Sequence, residues 1–224
     1  MMMMMITTPR IPARLILVAA LALPLFGGCA TTYYEAMERA GIHKRDILID
    51  RVKNARDSQV EAQKQFKSAL EQFASVVRLE DTDLKKAYEK LNAEYEDCEK
   101  AAKEVSSRID RVESVADALF DEWKDELDMY KSAELREASR KQLETTRARY
   151  RRMLASMHQA EKGMKPVLGT FYDNVLFLKH NLNTQAIASL KVEFSTLRGK
   201  IDGLVKVMNA SIESSNTFIA DLKQ

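Results

Sequence analysis

Long runs of apolar residues, spaced alternately four and three positions apart, constrain this chain more than any other feature. Four such runs cover residues 48–76, 84–123, 143–182 and 187–222. Seven-residue repeats sustained over this length are typical of long α-helices that insert side chains between those of neighbouring helices. Pro166 is the only proline beyond residue 24, so the chain also lacks the turn residues of a β protein. The sequence therefore predicts an all-α, coiled-coil protein.

The repeat also predicts which residues form the core. The first two runs place in it Leu48, Val52, Ala55, Gln59, Ala62, Phe66, Ala69, Phe73 and Val76, then Leu84, Tyr88, Leu91, Tyr95, Cys98, Ala102, Val105, Ile109, Val112, Ala116, Leu119 and Trp123. The other two runs add Leu143, Tyr150, Met153, Met157, Ala160, Met164, Val167, Phe171, Val175, Leu178 and Leu182, then Ile187, Leu190, Phe194, Leu197, Ile201, Leu204, Met208, Ile212, Phe218 and Leu222.

Capping residues separate the runs. Asp81 and Thr82 can accept hydrogen bonds from free N–H groups and predict a turn at 79–82. Ser132 can cap the third helix and Thr184 the fourth. Four helices of this length, roughly 55–75 Å each, fold most simply as an elongated antiparallel up-down bundle. A three-helix arrangement is the alternative if the chain does not break near 129–133.

Other residues predict local features of these helices. Gly41 interrupts a short first segment at 33–40, and Pro166 is expected to kink the third helix because it removes a backbone hydrogen bond. Lys179 and His180, followed by Asn181, are typical of a helix C-terminus.

Charge favours docking between the second and third helices. Residues 80–128 carry a net charge of −9, whereas residues 131–165 carry +6. Within the basic segment, Arg147, Arg149, Arg151 and Arg152 read either as a contact for anionic lipid or nucleic acid or as a solvated, ion-paired helix face. We favour the second reading.

The N-terminus has the pattern of a bacterial lipoprotein signal peptide. Arg10 and Arg14 precede an apolar stretch from Leu15 to Phe26, which is too short to span a membrane as a helix. Gly27 and Gly28 then precede Cys29, as lipidation and cleavage require. Phe26 departs from the leucine preferred at its position. Secretory cleavage at a nearby small residue and an uncleaved anchor are the alternatives.

This pattern divides the chain into a signal peptide at 1–28, a lipidated N-terminus at 29–32 and a single helical domain at 33–224. Lipid on Cys29 would attach the mature protein to a membrane on the periplasmic side of the bacterial envelope. Ala30, rather than aspartate, favours the outer membrane. Tyr33 and Tyr34 could seat the domain at the membrane interface or simply open the first helix. If Cys29 carries lipid, Cys98 has no cysteine partner.

Composition argues against several function classes. Without residues 1–28 the chain holds 33 basic and 33 acidic residues, so a nucleic-acid partner is not expected. His43, His158 and His180 lack the spacing of a di-iron bundle, and phosphate-binding loops and hydrolase motifs are absent from the sequence. We expect no cofactor and no metal, and we predict that the protein is not an enzyme.

Charged residues near the predicted anchor form a candidate docking cluster. Lys44, Arg45, Asp46, Asp50 and Arg51 are close together, and several of them share one helix face. They could bind an envelope protein partner or could only form local ion pairs.

Two strings of the sequence resemble a bacterial lipoprotein family. YYEAMERAGIHKRDILIDRVKNARDSQVEAQKQFKSALEQF at 33–73 and VLFLKHNLNTQAIASL at 175–190 are similar to members of the family called domain of unknown function 2959. The resemblance implies an exported, mainly coiled-coil protein with no assigned activity. It carries no catalytic or binding residues to this chain.

The sequence therefore favours a lipid-anchored, non-enzymatic scaffold, spacer or docking protein in the periplasm. The alternative is a helical module that binds or remodels membranes. Exposed heptad positions could also join copies of the chain into a homo-oligomer, whereas a closed four-helix bundle would already bury them.

Overall fold

The computed structural model describes residues 34, 37, 41–78 and 84–223. Within these residues the chain forms four long α-helices and no strand. They are α1 (Lys44–Val76), α2 (Leu84–Glu126), α3 (Ala133–His180) and α4 (Thr184–Leu222), with a 3₁₀ turn at Leu127–Met129 between α2 and α3. The predicted signal peptide, Cys29 and the caps Asp81 and Thr82 lie outside the described residues.

The helices pack as an antiparallel four-helix bundle, as predicted. Each helix contacts its two neighbours in the order α1, α2, α3, α4 and back to α1. Side-chain pairs show the relative direction of α1 and α4. Arg56 bonds to Asn216 and Gln63 to Asn209, so these two helices run in opposite directions. The break after Leu127 excludes the three-helix alternative. The 48 residues of α3 give the bundle a length of about 70 Å.

The bundle core follows the predicted heptads closely. All nine predicted positions of α1 are buried, including Gln59. The methionines at 153, 157 and 164 are buried in the core, which confirms their assignment to packing. Trp123 lies against the core, and its indole N–H donates to Ser139 Oγ at 2.9 Å, as a half-buried indole requires.

The prediction was wrong at several core positions. In α2, Phe120 is buried, whereas the predicted Leu119 is only half-buried. Leu182 is 46% exposed because α3 ends at His180, before that residue. In α4, Ser211 and Ser215 are fully buried, whereas Ile212 is only half-buried. The spacing of three and four residues thus continues from Met208 through Ser211 and Ser215. Ile212 lies one residue to the side of this core face and was wrongly assigned to it.

Local signals at the helix ends are mostly confirmed. Gly41 has a φ of 79°, and Ile42 N–H donates to Met37 O, a bond that closes a helix end at a glycine. Ser132 accepts from Leu135 N–H and caps α3. The cap of α4 is Asn183, which accepts from Ala186 N–H, so the prediction of Thr184 was wrong by one residue.

Two further features of α3 were predicted. The helix ends at His180 with Asn181 as its C-cap, as expected. The helix also continues through Pro166, and the kink expected there stays a prediction.

Candidate functional site

The two ends of the bundle differ in the side chains they display. At one end, which we call the Trp123 end, α1 and α3 begin and α2 and α4 finish. The opposite end, which we call the Leu182 end, holds the connection between α3 and α4. All eight large hydrophobic side chains that are exposed among the described residues lie toward one end or the other. They are Ile42, Met129 and Leu135 at the Trp123 end, and Tyr172, Leu176, Phe177, Leu182 and Val192 at the Leu182 end.

The predicted docking cluster lies at the Trp123 end, and its members have different environments. Lys44 is 7% exposed, and its ammonium lies 2.8 Å from Glu122 Oε1 on α2, so it joins two helices. Asp50 pairs with Lys53 at 3.0 Å on the surface of α1. Arg45 and Asp46 are exposed, and Arg51 is half-buried. Arg45, Asp46 and Asp50 are therefore the members most accessible to another molecule, and of these Asp50 is paired with Lys53.

Arg45 lines two cavities at this end. The first has a volume of about 360 Å³ and receives residues from all four helices, among them Trp123, Glu126, Thr146 and Leu222. The second cavity has a volume of about 440 Å³ and is lined by His43, Asp46 and Lys223 among others, in addition to Arg45. The first cavity is of a size that admits a small side chain or ligand. Its lining combines apolar side chains, carboxylates and one guanidinium. This combination suits a partner protein that inserts one apolar side chain and surrounds it with polar ones.

Tyr34 connects the N-terminal segment to the side of the bundle. Its hydroxyl lies 3.2 Å from Ser114 Oγ on α2, and the residue is 7% exposed within the hydrophobic core cluster. Ser114 lies twelve residues before the end of α2, about 18 Å along the helix. Tyr34 is thus packed into the protein and does not serve as an exposed interfacial side chain. Tyr33 lies outside the described residues.

A histidine with two carboxylates joins the middle of α2 and α3. His158 Nδ1 lies 2.9 Å from Glu161 Oε2 on its own helix, and Nε2 lies 3.1 Å from Glu113 Oε1 on α2. The two carboxylates lie on opposite sides of the imidazole, so the three groups do not converge on one point. In the described part of the chain, no group of three potential ligands is placed to hold a metal ion.

These contacts shift two pKa values in opposite directions. Burial alone would lower the pKa of His158, but hydrogen bonds to Glu161 and Glu113 and their charges outweigh it and raise the pKa above its usual value. Burial alone would raise the pKa of Glu161, but hydrogen bonds from Ser106 and His158 lower it. The charged forms of both groups are therefore favoured in the folded protein. The sequence showed His158 and Glu161 at adjacent turns, but gave no sign of Glu113.

The arginine run on α3 is partly engaged within the bundle. Arg147 lies over the ring of Phe120 at 5.3 Å, and Arg149 pairs with Asp221 at 3.3 Å on α4. Arg151 and Arg152 are exposed. Arg147 and Arg149 thus form contacts between helices. This agrees with the interpretation of the four arginines as a solvated, ion-paired helix face.

A groove of about 700 Å³ lies between α2 and α3. Tyr95, Leu168, Gly169 and Tyr172 line it toward the Leu182 end, and Lys165 also lines it. Tyr95 and Tyr172 contact each other with ring centroids 5.5 Å apart. The groove therefore leads toward the exposed apolar residues at the end of α3.

None of the helices described here combines the length and hydrophobicity needed to cross a bilayer. A family model with the description "Protein of unknown function (DUF2959)" matches residues 33–222. The match covers all four helices, including the Trp123 end and the Leu182 end. A comparison with curated proteins finds no match.

Proposed function

Because this chain belongs to the DUF2959 family, whose function is unknown, we propose a role for it from its own residues. The protein is a non-enzymatic scaffold or docking protein, anchored by lipid on Cys29 to the periplasmic side of the envelope, with the outer membrane favoured by Ala30. Its docking surface is the exposed face around Arg45 and Asp46 at the Trp123 end.

The position of Arg45 between two cavities is the observation that carries the docking proposal. A partner that inserts an apolar side chain beside Trp123 would bring its polar rim onto Arg45, Asp46 and Glu126. Binding surfaces of this kind combine a pocket for an anchor residue with a polar rim. Lys44, held by Glu122, would fix the start of α1 and so keep Arg45 in place.

The predicted anchor would keep this surface near a membrane. Four residues lie between Cys29 and Tyr34, and the five steps from one Cα atom to the next can span at most about 18 Å. Tyr34 is itself about 18 Å along α2 from the Trp123 end. A partner at this end would therefore meet the protein within a few tens of ångströms of the acyl chains, as a docking protein of the envelope requires.

Metabolic labelling tests the anchor. In cells given a palmitate analogue, the wild-type protein should be labelled and should fractionate with membranes, whereas Cys29→Ala should lose the label. Cys98→Ala is the matched control, because it removes the other cysteine, which is buried in the core. Labelling that persists in Cys29→Ala, or that disappears in Cys98→Ala alone, would reject lipidation at Cys29.

Site-specific crosslinking tests the docking surface. A photoreactive amino acid at Asp46 should give a discrete crosslinked product in envelope fractions. The same amino acid at Lys64, which is 67% exposed near the middle of α1, should not. Arg45→Glu should abolish the product formed from position 46. Equal products from both positions, or none from position 46, would contradict the assignment.

A further inference from the structure

Exposed apolar side chains are concentrated at the Leu182 end. Tyr172, Leu176, Phe177, Leu182 and Val192 are between 38% and 70% exposed, and we call them the apolar end patch. Tyr172 lines the groove on the α2 side of α3, Leu176 follows it by one helical turn, and Phe177 lines a cavity on the α4 side. The last turns of α3 thus carry exposed apolar residues in addition to Val175 and Leu178, which face the core. A group of this kind on a soluble surface usually marks an interaction site.

The register of α3 and α4 brings the patch together. Lys200 bonds to Thr170, and Arg149 pairs with Asp221, so residues of the two helices whose numbers sum to about 370 lie side by side. Val192 is therefore level with residue 178 of α3. The part of α3 from Tyr172 to its end at His180 covers about 12 Å along the bundle axis, and Leu182 follows directly. The patch is compact enough to meet one surface.

Basic residues surround the patch. Residues 165–200 carry five of them, all exposed, against two acidic residues; these are Lys165, Lys179, Lys191, Arg198 and Lys200, with Asp173 and Glu193. The neighbouring ends of α1 and α2 add Lys67, Arg78, Lys85, Lys86 and Lys90 against Glu71 and Glu89, and the sequence between those helices contributes Glu80, Asp81 and Asp83, so these parts of the chain are balanced in charge. Residues 165–200, the segment that carries the patch, are therefore net basic.

The Trp123 end provides the contrast. Met129 and Leu135 are more exposed than most of the patch, at 77% and 60%. However, the chain around them, residues 121–141, holds seven acidic residues and five basic residues. Apolar exposure in an acidic setting is unsuited to an anionic surface, whereas the same exposure among lysines suits one.

We propose that the apolar end patch binds the surface of a membrane that contains anionic phospholipid. Leu176, Phe177 and Val192 enter the boundary between headgroups and acyl chains, where aliphatic and aromatic side chains are favoured. Lys179 and Lys191 bind the phosphate groups around them. This contact does not require lipid on Cys29, so it goes beyond the anchoring proposed above. It would hold a second point of the rod against a bilayer.

Vesicle flotation tests the proposal on residues 30–224. This chain contains all described residues, and the whole core cluster lies between Tyr34 and Leu222. It should float with vesicles of phosphatidylethanolamine and phosphatidylglycerol, and it should remain unbound with phosphatidylcholine alone. Each basic residue near an anionic surface strengthens binding about fivefold, so reversing both charges in Lys179→Glu/Lys191→Glu should weaken binding more than tenfold.

Matched variants separate the patch from other surfaces. Leu176→Ser/Phe177→Ser should also lose binding, while Met129→Ser/Leu135→Ser should retain it. Arg151→Glu/Arg152→Glu makes the same charge change on the arginine run and should reduce binding less than twofold. Circular dichroism checks that each variant keeps its helices. If Leu176→Ser/Phe177→Ser unfolds, Val192→Ser, at a position 70% exposed, replaces it.

Three results would overturn the proposal. The first is failure of the wild-type chain to float with anionic vesicles. The second is a loss of binding in Arg151→Glu/Arg152→Glu but not in Lys179→Glu/Lys191→Glu. The third is a dimer, seen by sedimentation, that Leu176→Ser/Phe177→Ser dissociates, because the patch would then belong to a contact between two copies of the chain.

Discussion

His158 Nε2 on α3 lies 3.1 Å from Glu113 Oε1 on α2, so an imidazole and a carboxylate join the two helices whose net charges are opposite. The second imidazole nitrogen lies 2.9 Å from Glu161 Oε2, one turn further along α3. When His158 is protonated, it donates to both carboxylates at once. When His158 loses a proton, one of its two nitrogens can no longer donate, so one of the two hydrogen bonds is lost. The contact between α2 and α3 should therefore respond to pH.

The first prediction concerns stability above neutral pH. Because the folded state raises the pKa of His158, its contribution to the free energy of unfolding is complete below the unfolded pKa of about 6.5. It is lost as the pH rises through the raised folded value. We expect a fall of at most about 1 kcal/mol, since all three side chains are partly exposed. Urea unfolding at a series of pH values measures it.

The same cluster has the opposite response at low pH. Because the folded state lowers the pKa of Glu161, its contribution is present above the unfolded value of about 4.3 and is lost as the pH falls through the folded one.

His158→Gln should flatten the response near neutral pH. His180→Gln, at an exposed position, is the matched control and should not. An unchanged fall in His158→Gln would assign the pH dependence to other groups.

The second prediction concerns a polar residue in the core. Gln59 is fully buried, and neither atom of its amide has a hydrogen-bond partner among the described residues. Buried amide groups without partners are costly. We therefore expect Gln59→Leu to raise the free energy of unfolding by about 1 kcal/mol, as measured by urea denaturation.

Gln63 provides the control for Gln59. It lies one helical turn away, but its amide donates to Asn209 Oδ1 at 2.8 Å. Gln63→Leu should destabilise the bundle, because it removes this bond and leaves Asn209 without it. A loss of stability in Gln59→Leu as large as in Gln63→Leu would show that the Gln59 amide is well satisfied in solution.

The heptad repeat was sufficient to predict the helices and most of the core. Local periodicity decides which residues of a helix face the core. The nine core residues of α1 could therefore be assigned without knowledge of the helices that pack against it. Ser211 and Ser215 were missed because the repeat was traced through apolar residues, and Ile212 lay one residue beside the seam. Ser215 is tolerated there because its hydroxyl donates to the Ser211 carbonyl on its own helix, whereas the Ser211 hydroxyl has no partner among the described residues.

Contacts between helices could not be predicted in the same way. Glu113 and His158 are 45 residues apart, and they meet only because of the register between α2 and α3. That register depends on the length and geometry of the connection from Leu127 to Ser132, which the heptad repeat does not specify. The packing of Tyr34 against Ser114 likewise requires the turn at Gly41 to send the chain back along the bundle.

The third prediction concerns the reactivity of Cys98. Burial, with smaller effects from Glu94 and Asp97, raises the pKa of its thiol to about 12. The reactive thiolate is therefore scarce near neutral pH, and the sulfur is inaccessible in the folded core. In a Cys29→Ser background, Cys98 should react with a thiol reagent at least a hundredfold more slowly in buffer than in concentrated urea. Fast modification without urea would contradict the packed core around it.

The fourth prediction compares glycines inside helices. A Cβ atom added at Gly199 or Gly203 would have no neighbour within 4 Å, and both residues lie exposed within α4. Since glycine costs helix interiors about 0.5–1 kcal/mol relative to alanine, Gly199→Ala and Gly203→Ala should each raise the free energy of unfolding by about that amount. Gly163 differs, because its added Cβ would lie 3.2 Å from Leu204 Cδ1. Gly163→Ala should therefore gain less, since Leu204 must move within the core. Equal gains at all three positions in urea denaturation would mean that α3 and α4 pack less closely there than this distance indicates.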